Sequence, residues 1–503
     1  MVESRSKKAV YNTLASLFLE FISIICGFIL PKFILIYFGS TYNGVTAAIT
    51  QFLSYVTLLR AGVGGVTRAA LYKPLSNHDD VEVSRIVKAT EIFMRKIAYI
   101  FIGLILIFAI IFPLIVAEDF SWLFTFSLVL IMGIATFSQY YFGITYQMLI
   151  GADQRQYISS IIQCITLIIN LIVSIVLIKT GCGIHIVKLG NAIVFSLNPI
   201  ILSIFVKRKY KLLKDVEPNN QAINQRWDAF MHQIAAFVQE NTDIVVLSLF
   251  SNMNEVSVYS IYYLVSNGIK KLLETLTIGI EAAFGNMIAL NDFKTLNLTL
   301  KRLETILFSI GTFCYACVIN LIVSFVVVYT SGIHDVEYAR PIFALILGLA
   351  QFFYCIRTPY QYIVEAAGHF KQTRNGAIME AVINLTVSII LVIKFGLVGV
   401  AIGTLVSMIF RTIQYAYYVS KNILNRSFFQ FLNKLFVSIL NIILITFVIH
   451  NFIVITATSY LDFFINAIIV AFISCLFVVV SNVIFNFNSF KDCVVTVIKI
   501  LKK

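Results

Sequence analysis

Charge is what this chain has least of. Asp, Glu, Lys and Arg together make up 13% of its 503 residues, against 59% hydrophobic, and mean hydropathy is +0.90. No soluble protein of this length needs so much apolar surface. A soluble enzyme or binding module is therefore excluded, and an all-α polytopic membrane protein is expected. Reactive motifs are missing as well. No G-x-x-x-x-G-K-[ST], H-E-x-x-H or G-x-S-x-G occurs, so ATP hydrolysis and the familiar hydrolytic chemistries have no support. The chain is read as a non-enzyme with no catalytic residue, no metal and no cofactor. Its eight cysteines are scattered. The only close pair, Cys314-x-x-Cys317, lies in an apolar helix without a second pair or a nearby His, and reads as packing. The start, MVESRSKKAVYNTLASLFLEFISIICGFIL, lacks a small-residue cleavage site after a short apolar core, so its apolar segment is expected to be a retained span.

Apolar runs of bilayer-crossing length predict about fourteen spans. They lie near 9–38, 43–68, 92–116, 121–150, 156–179, 184–206, 228–250, 256–290, 298–328, 338–367, 375–394, 397–420, 431–453 and 460–485. A net charge of +13 would suit nucleic acid in a soluble protein; here it follows from Lys and Arg in cytoplasmic loops, and no nucleic-acid partner is expected. With the N-terminus inside, the inner side receives Lys7, Lys8, Arg68, Arg95, Lys207, Arg208, Lys209, Lys301, Arg426 and Lys434 among others, and the outer side only Lys179, Lys188, Arg340 and Lys394. Both termini are thus expected in the cytoplasm. The tail NSFKDCVVTVIKILKK reads as an interfacial amphipathic helix.

The two halves repeat. An offset of 214 pairs Tyr146-Gln147 with Tyr360-Gln361, and Asn170-Leu171 with Asn384-Leu385. An offset of 212 pairs Gln139-Tyr140-Tyr141 with Gln351-Phe352-Phe353. Six spans per unit is an even number, so the units share an orientation, giving two parallel pseudo-symmetric six-helix lobes plus two C-terminal helices. The boundaries read 1–214 and 215–426 for the lobes, 427–486 for the extra pair and 487–503 for the tail.

Charges at membrane depth are costly and by default face a protein interior or a watery cavity. The organising stretch is Val256–Leu290, expected as one spanning helix, with Lys270, Lys271, Glu274 and Glu281 well inside. Lysines there either line a cavity or snorkel to the surface. Lys32 follows Pro31 on the first span, where a kink can make a hinge, and Glu20 lies deeper on the same span. Arg60 adjoins three glycines on the second span and falls on Lys271 at an offset of 211. Two equivalent cations suit two arms facing one anionic ligand. Glu240 and Asp243 share a face of the seventh span; they could balance those cations, bind a coupling H+ or Na+, or form a structural ion pair. Arg357 is deep on the tenth span beside Pro359, and Arg411 reads as a snorkel. The expected anion-binding set is Lys32, Arg60, Lys270, Lys271 and Arg357. The carboxylates for ion coupling or charge balance are Glu20, Glu240, Asp243, Glu274 and Glu281.

The opening GFILPKFILIYFGSTYNGVTAAITQFLSYVTLLRAGVGGVTRAALYKPL resembles the first two helices of bacterial polysaccharide transporters, the Wzx-like oligosaccharide flippases of the multidrug/oligosaccharidyl-lipid/polysaccharide superfamily. DIVVLSLFSNMNEVSVYSIYYLV resembles the start of their second half. The resemblance implies flipping of an undecaprenyl-diphosphate-linked oligosaccharide across a bacterial plasma membrane, with membrane lipids and the pathway's glycan polymerase and glycosyltransferases as partners. It also implies that Lys32, Arg60, Lys270 and Lys271 stand where lipid II-flipping relatives place cavity cations. Lysine in place of arginine offers a point charge where a fork would hold diphosphate bidentately. Two other functions remain open: an ion-coupled efflux antiporter of the same superfamily, disfavoured by the cation excess, and an integral-membrane glycan-modifying enzyme, disfavoured by the short outer loops.

Overall fold

In the computed structural model, residues 5–56, 61–213, 215–220, 241–275, 277, 280–453, 455, 458–485, 487 and 490–491 are described. The chain divides into two compact units, residues 1–257 and 258–503.

Unit 1 begins with α1 (Arg5–Phe38), α2 (Ser40–Val56) and α3 (Ala61–Ser76), followed by the long α4 (Asp80–Ile115). Next come α5 (Trp122–Ser138) and α6 (Ile144–Ala152), joined by a π-turn over Gln139–Gly143, then α7 (Gln156–Lys179) and α8 (Ile184–Lys209). A shorter apolar helix, α9 (Asn241–Phe250), follows. The helix α10 (Met253–Thr275) runs from unit 1 into unit 2. Unit 2 continues with α11 (Ile280–Ala289), α12 (Phe293–Tyr329), α13 (Pro341–Ala366), α14 (Phe370–Tyr418), α15 (Phe429–Phe452) and α16 (Tyr460–Phe485).

Ten helices among the described residues are long and apolar enough to cross a membrane. One of them contains two expected spans, 375–394 and 397–420. Gly396 breaks α14 with φ 51° and ψ −128°, a region that favours glycine. Past it the chain doubles back, so that Ser388 reaches the Val400 carbonyl at 3.3 Å. The expected spans at 43–68, 228–250 and 256–290 fall outside the ten. In the last of these α10 stops at Thr275. There the Thr277 hydroxyl and N–H both return to the Glu274 carbonyl, at 2.7 and 3.0 Å, taking an acceptor that a continuing helix would use. Val256–Leu290 is therefore two helices, α10 and α11, and not one.

The repeat is written in the backbone. Asp79 caps α4 by accepting from Glu82 N–H at 3.0 Å, and Asp292 caps α12 by accepting from Thr295 N–H at the same distance. Each cap follows a residue at positive φ, His78 and Asn291, both 54°. Asp292 lies at the mouth of its span, where hydrogen bonds from Thr295 hold its carboxyl below the ordinary value of 3.8. The turn before α7 has Gln154 at φ 57°, and the turn before α14 has Gly368 at 68°. Repeat partners are buried alike: Tyr146 is 4% exposed and Tyr360 0%, Asn170 5% and Asn384 1%.

In unit 1, α1 packs on α7, α7 on α8, α8 on α5 and α5 on α4. A cluster including Leu71, Ile86, Tyr146, Leu149 and Val206 joins α3, α4, α6 and α8. Beside it Asp153 gathers Lys8 at 3.0 Å, Arg155 at 2.8 Å and the Tyr210 hydroxyl at 2.6 Å. In unit 2, α13 packs on α12 and α14, and the final pair α15 and α16 both pack on α12. Side chains such as Ile393, Ile468 and Phe472 stay about 70% exposed (72%, 70% and 69%), which suits hydrocarbon and not water. The tail beyond residue 491 lies outside the described residues.

Candidate functional site

Intramembrane charge in unit 2 collects along a line through α10, α13 and α14. On α10, Lys270 and Glu274 stand one turn apart, with Nζ 3.9 Å from Oε1. Tyr354 of α13 joins them: its hydroxyl donates to Glu274 at 2.8 Å, and the Lys270 ammonium sits 3.8 Å from its ring centroid. The Arg357 guanidinium lies 4.6 Å from the same centroid. Such cation–π contacts contribute about 0.5–2 kcal/mol each, more where water is excluded. Arg357 then donates from Nη1 to Glu380 of α14 at 2.5 Å, and the other Glu380 oxygen lies 3.3 Å from Arg411 Nε. Arg411 also bonds the Thr373 carbonyl, Gln414 and the Tyr415 hydroxyl, at 3.1, 2.5 and 2.6 Å.

Lys270, Arg357 and Arg411 thus alternate with Glu274 and Glu380. This ordering lets each charge meet its opposite. Lys270 and Glu274 also line a cavity of about 10 Å³ with Tyr315, Tyr354 and Thr358, room for roughly one water. The Tyr315 hydroxyl is buried there without a hydrogen-bond partner among the described residues, which a water would supply.

A second hub lies on α12. Glu304 is fully buried and accepts from Tyr360 at 2.7 Å, Lys434 at 3.0 Å and Arg426. Arg426 and Lys434, which the sequence placed with the inner-side loop charges, are here ion-paired and buried. Arg411 differs likewise from its reading as a snorkel: its side chain is 5% exposed.

Among the predicted anion-binding residues, Lys270 and Arg357 share Tyr354, while Lys271 is half-buried on α10. Lys32 is half-buried on α1 of unit 1, and Arg60 lies outside the described residues. Among the carboxylates, Glu274 joins the charged line and Glu281 is exposed on α11. Glu20 is half-buried on α1, Asp243 is 7% exposed on α9, and Glu240 lies outside the described residues. Beside Asp243, Asn241 ties α9 to α2 by accepting from Gln51 at 2.6 Å and from the Tyr55 hydroxyl at 3.0 Å.

Sequence reasoning missed Glu380 and Glu304. Each is the single carboxylate in its helix, and the signal was available: a buried acid predicts a buried base, and Arg357, Arg411 and Lys434 were all in view.

At the tip of α2, Asn43 Nδ2 donates to Ser257 at 2.9 Å and the Thr41 hydroxyl to Asn254 at 2.8 Å. Gly44 lies so close to the first turn of α10 that an added Cβ would stand 1.8 Å from the Met253 carbonyl oxygen.

No known family profile and no curated protein matches the sequence. Solved structures do match. The lipid II flippase MurJ, in an inward closed conformation, is similar with a TM-score of 0.71 over 95% of this chain and 99% of its own, at 17% identity. An inward-facing MATE family multidrug resistance transporter of the MOP superfamily is similar with a TM-score of 0.60 over 81% of this chain and 98% of its own, at 12% identity. A eukaryotic MATE transporter gives 0.56 over 82% and 95%, at 15% identity. The chain therefore has the all-α membrane fold shared by MurJ and the MATE transporters of the MOP superfamily. The similar structures are a flippase and transporters.

Proposed function

We propose that this protein is a flippase for an undecaprenyl-diphosphate-linked oligosaccharide. It would carry the glycan from the inner to the outer leaflet of a bacterial plasma membrane by alternating access, for capsule, exopolysaccharide or O-antigen-type polymers. One observation carries the reading: the likeness to the lipid II flippase spans 95% of this chain, whereas the MATE likenesses stop near 82%. Fold alone does not fix function, so the charges must agree. Lys32, Arg60, Lys270 and Lys271 supply cations for a diphosphate, with Arg357 set behind Lys270 across Tyr354. Glu20, Glu240, Asp243, Glu274 and Glu281 balance them or take up a coupling H+ or Na+. A glycan polymerase and glycosyltransferases of the same pathway are the expected partners, with both termini cytoplasmic.

An ion-coupled efflux antiporter is the second reading, favoured by the MATE likenesses; a cation-rich interior repels the cationic drugs such a protein would export. The test is complementation of a strain lacking its oligosaccharide flippase, scoring surface polysaccharide at matched expression for wild type, Arg60→Ala and Lys271→Ala. Rescue by wild type with loss in both variants supports the reading. Full activity of both variants sinks the cationic site, and drug resistance without polysaccharide rescue would favour the antiporter.

A further inference from the structure

We infer that a cavity inside unit 1 is a binding site for a small monovalent anion of the halide or carboxylate class, held by Lys188. The cavity, about 360 Å³, is walled by α1, α2, α5, α7 and α8, and Lys188 is the only charged residue lining it among the described residues. Lys188 makes no ion pair or hydrogen bond to any described residue. An ammonium among spanning helices is costly unless a counter-charge or water meets it, and here the protein's own wall offers no carboxylate.

The other polar groups in the wall suit an anion. Lys188 and Asn191 stand three apart on α8, on one face. The Asn191 Oδ1 accepts from the Ser174 hydroxyl at 2.6 Å, which fixes that amide and leaves its NH2 as the free end. Across from it Asn170 is 5% exposed with its Oδ1 buried, which leaves its NH2 as the end that the cavity reaches. One ammonium flanked by amide donors matches one negative charge, not a diphosphate. The volume holds a small ion with several waters. The inference does not rest on the flippase reading, and its test needs no transport.

The experiment follows thermal unfolding of the purified full-length protein in detergent. Chloride, bromide or acetate replaces gluconate at constant ionic strength. Wild type is expected to show a saturable rise in midpoint, as for any ligand bound by the native state alone. Lys188→Met should weaken the apparent affinity roughly ten- to hundredfold, the worth of a charge-assisted hydrogen bond. Asn170→Asp supplies an internal carboxylate for Lys188 and should abolish the anion dependence while keeping the fold. In bromide, an anomalous-scattering peak should lie against Lys188 Nζ. A midpoint in wild type that ignores the anion overturns the inference, as does a Lys188→Met response equal to wild type or a bromide peak only elsewhere. If Lys188→Met does not fold, Asn170→Asp decides: an undiminished response in that variant also overturns it.

Discussion

Glu380→Gln should be among the most damaging single changes in unit 2. Glu380 faces two guanidinium groups whose side chains are 7% and 5% exposed. The amide keeps the shape and removes the charge, leaving Arg357 and Arg411 facing each other without a counter-ion. Breaking a buried pair by deleting one partner costs about 3–5 kcal/mol, because the remaining charge is still desolvated. One carboxylate serves both arginines here, so the cost does not double, and about 4 kcal/mol is the expected loss. That corresponds to a fall in midpoint on the order of ten degrees for a unit of this size. Unfolding can be followed with a thiol-reactive dye, since Cys355 is buried between α12 and α13 and becomes reactive only when they part. Arg357→Met should cost less, as Glu380 keeps Arg411. The triple change Arg357→Met, Glu380→Leu, Arg411→Met should recover much of the loss, since apolar replacement of a whole buried network is often neutral. A Glu380→Gln midpoint within a degree or two of wild type would refute the claim that this network is desolvated and paired.

Gly44→Ala must push α2 away from the first turn of α10, because its Cβ would meet the Met253 carbonyl oxygen at 1.8 Å. Overpacking of this kind typically costs about 1–3 kcal/mol, readable as a lowered midpoint, and an unchanged midpoint would mean that the contact is not maintained. Tyr360→Phe removes one of three donors to the buried Glu304; a hydrogen bond to a charged group contributes about 1.5–3 kcal/mol. Its loss should exceed that of Tyr362→Phe, whose hydroxyl among the described residues bonds only the Thr277 hydroxyl. Acidification should loosen the first turn of α12. Asp292 has a depressed carboxyl pKa in the fold, so its cap is fully present above the ordinary 3.8 and is lost as pH falls through the lower folded value. Amide exchange at Thr295 should rise in that acid range, and Asp292→Asn should remove the pH dependence.

The helices were legible because each is an apolar run bounded by polar residues, and the repeat because tyrosines and asparagines recur near one offset. The break at Gly396 was legible, since the spans at 375–394 and 397–420 were expected to part there. The break after α10 was not: nothing in LETLTIGIE announces that Thr277 ends α10 by turning back to Glu274. The charged residues were found, but their partners lie far along the chain: Arg357 and Glu380 are 23 residues apart, and Glu304 and Lys434 are 130. Periodicity carries no information at such distances, so Arg411 read as a surface charge. Lys188 was expected on the outer side, and nothing in the sequence signals that, a turn inside α8, it lines a cavity.

The duplicated asparagine has diverged between the halves. In unit 2 the Asn384 amide donates to Thr404 at 3.1 Å, and a Cβ on Gly403 would meet the Ser388 hydroxyl at 2.1 Å. The seam is filled to contact. In unit 1 the counterpart Asn170 borders open space, and Lys188 occupies the position at which the repeat places Ile402. Dense interiors resist compression and transmit displacement, while voids absorb it. The same ancestral hairpin therefore serves as a strut in one half and as a compliant chamber in the other.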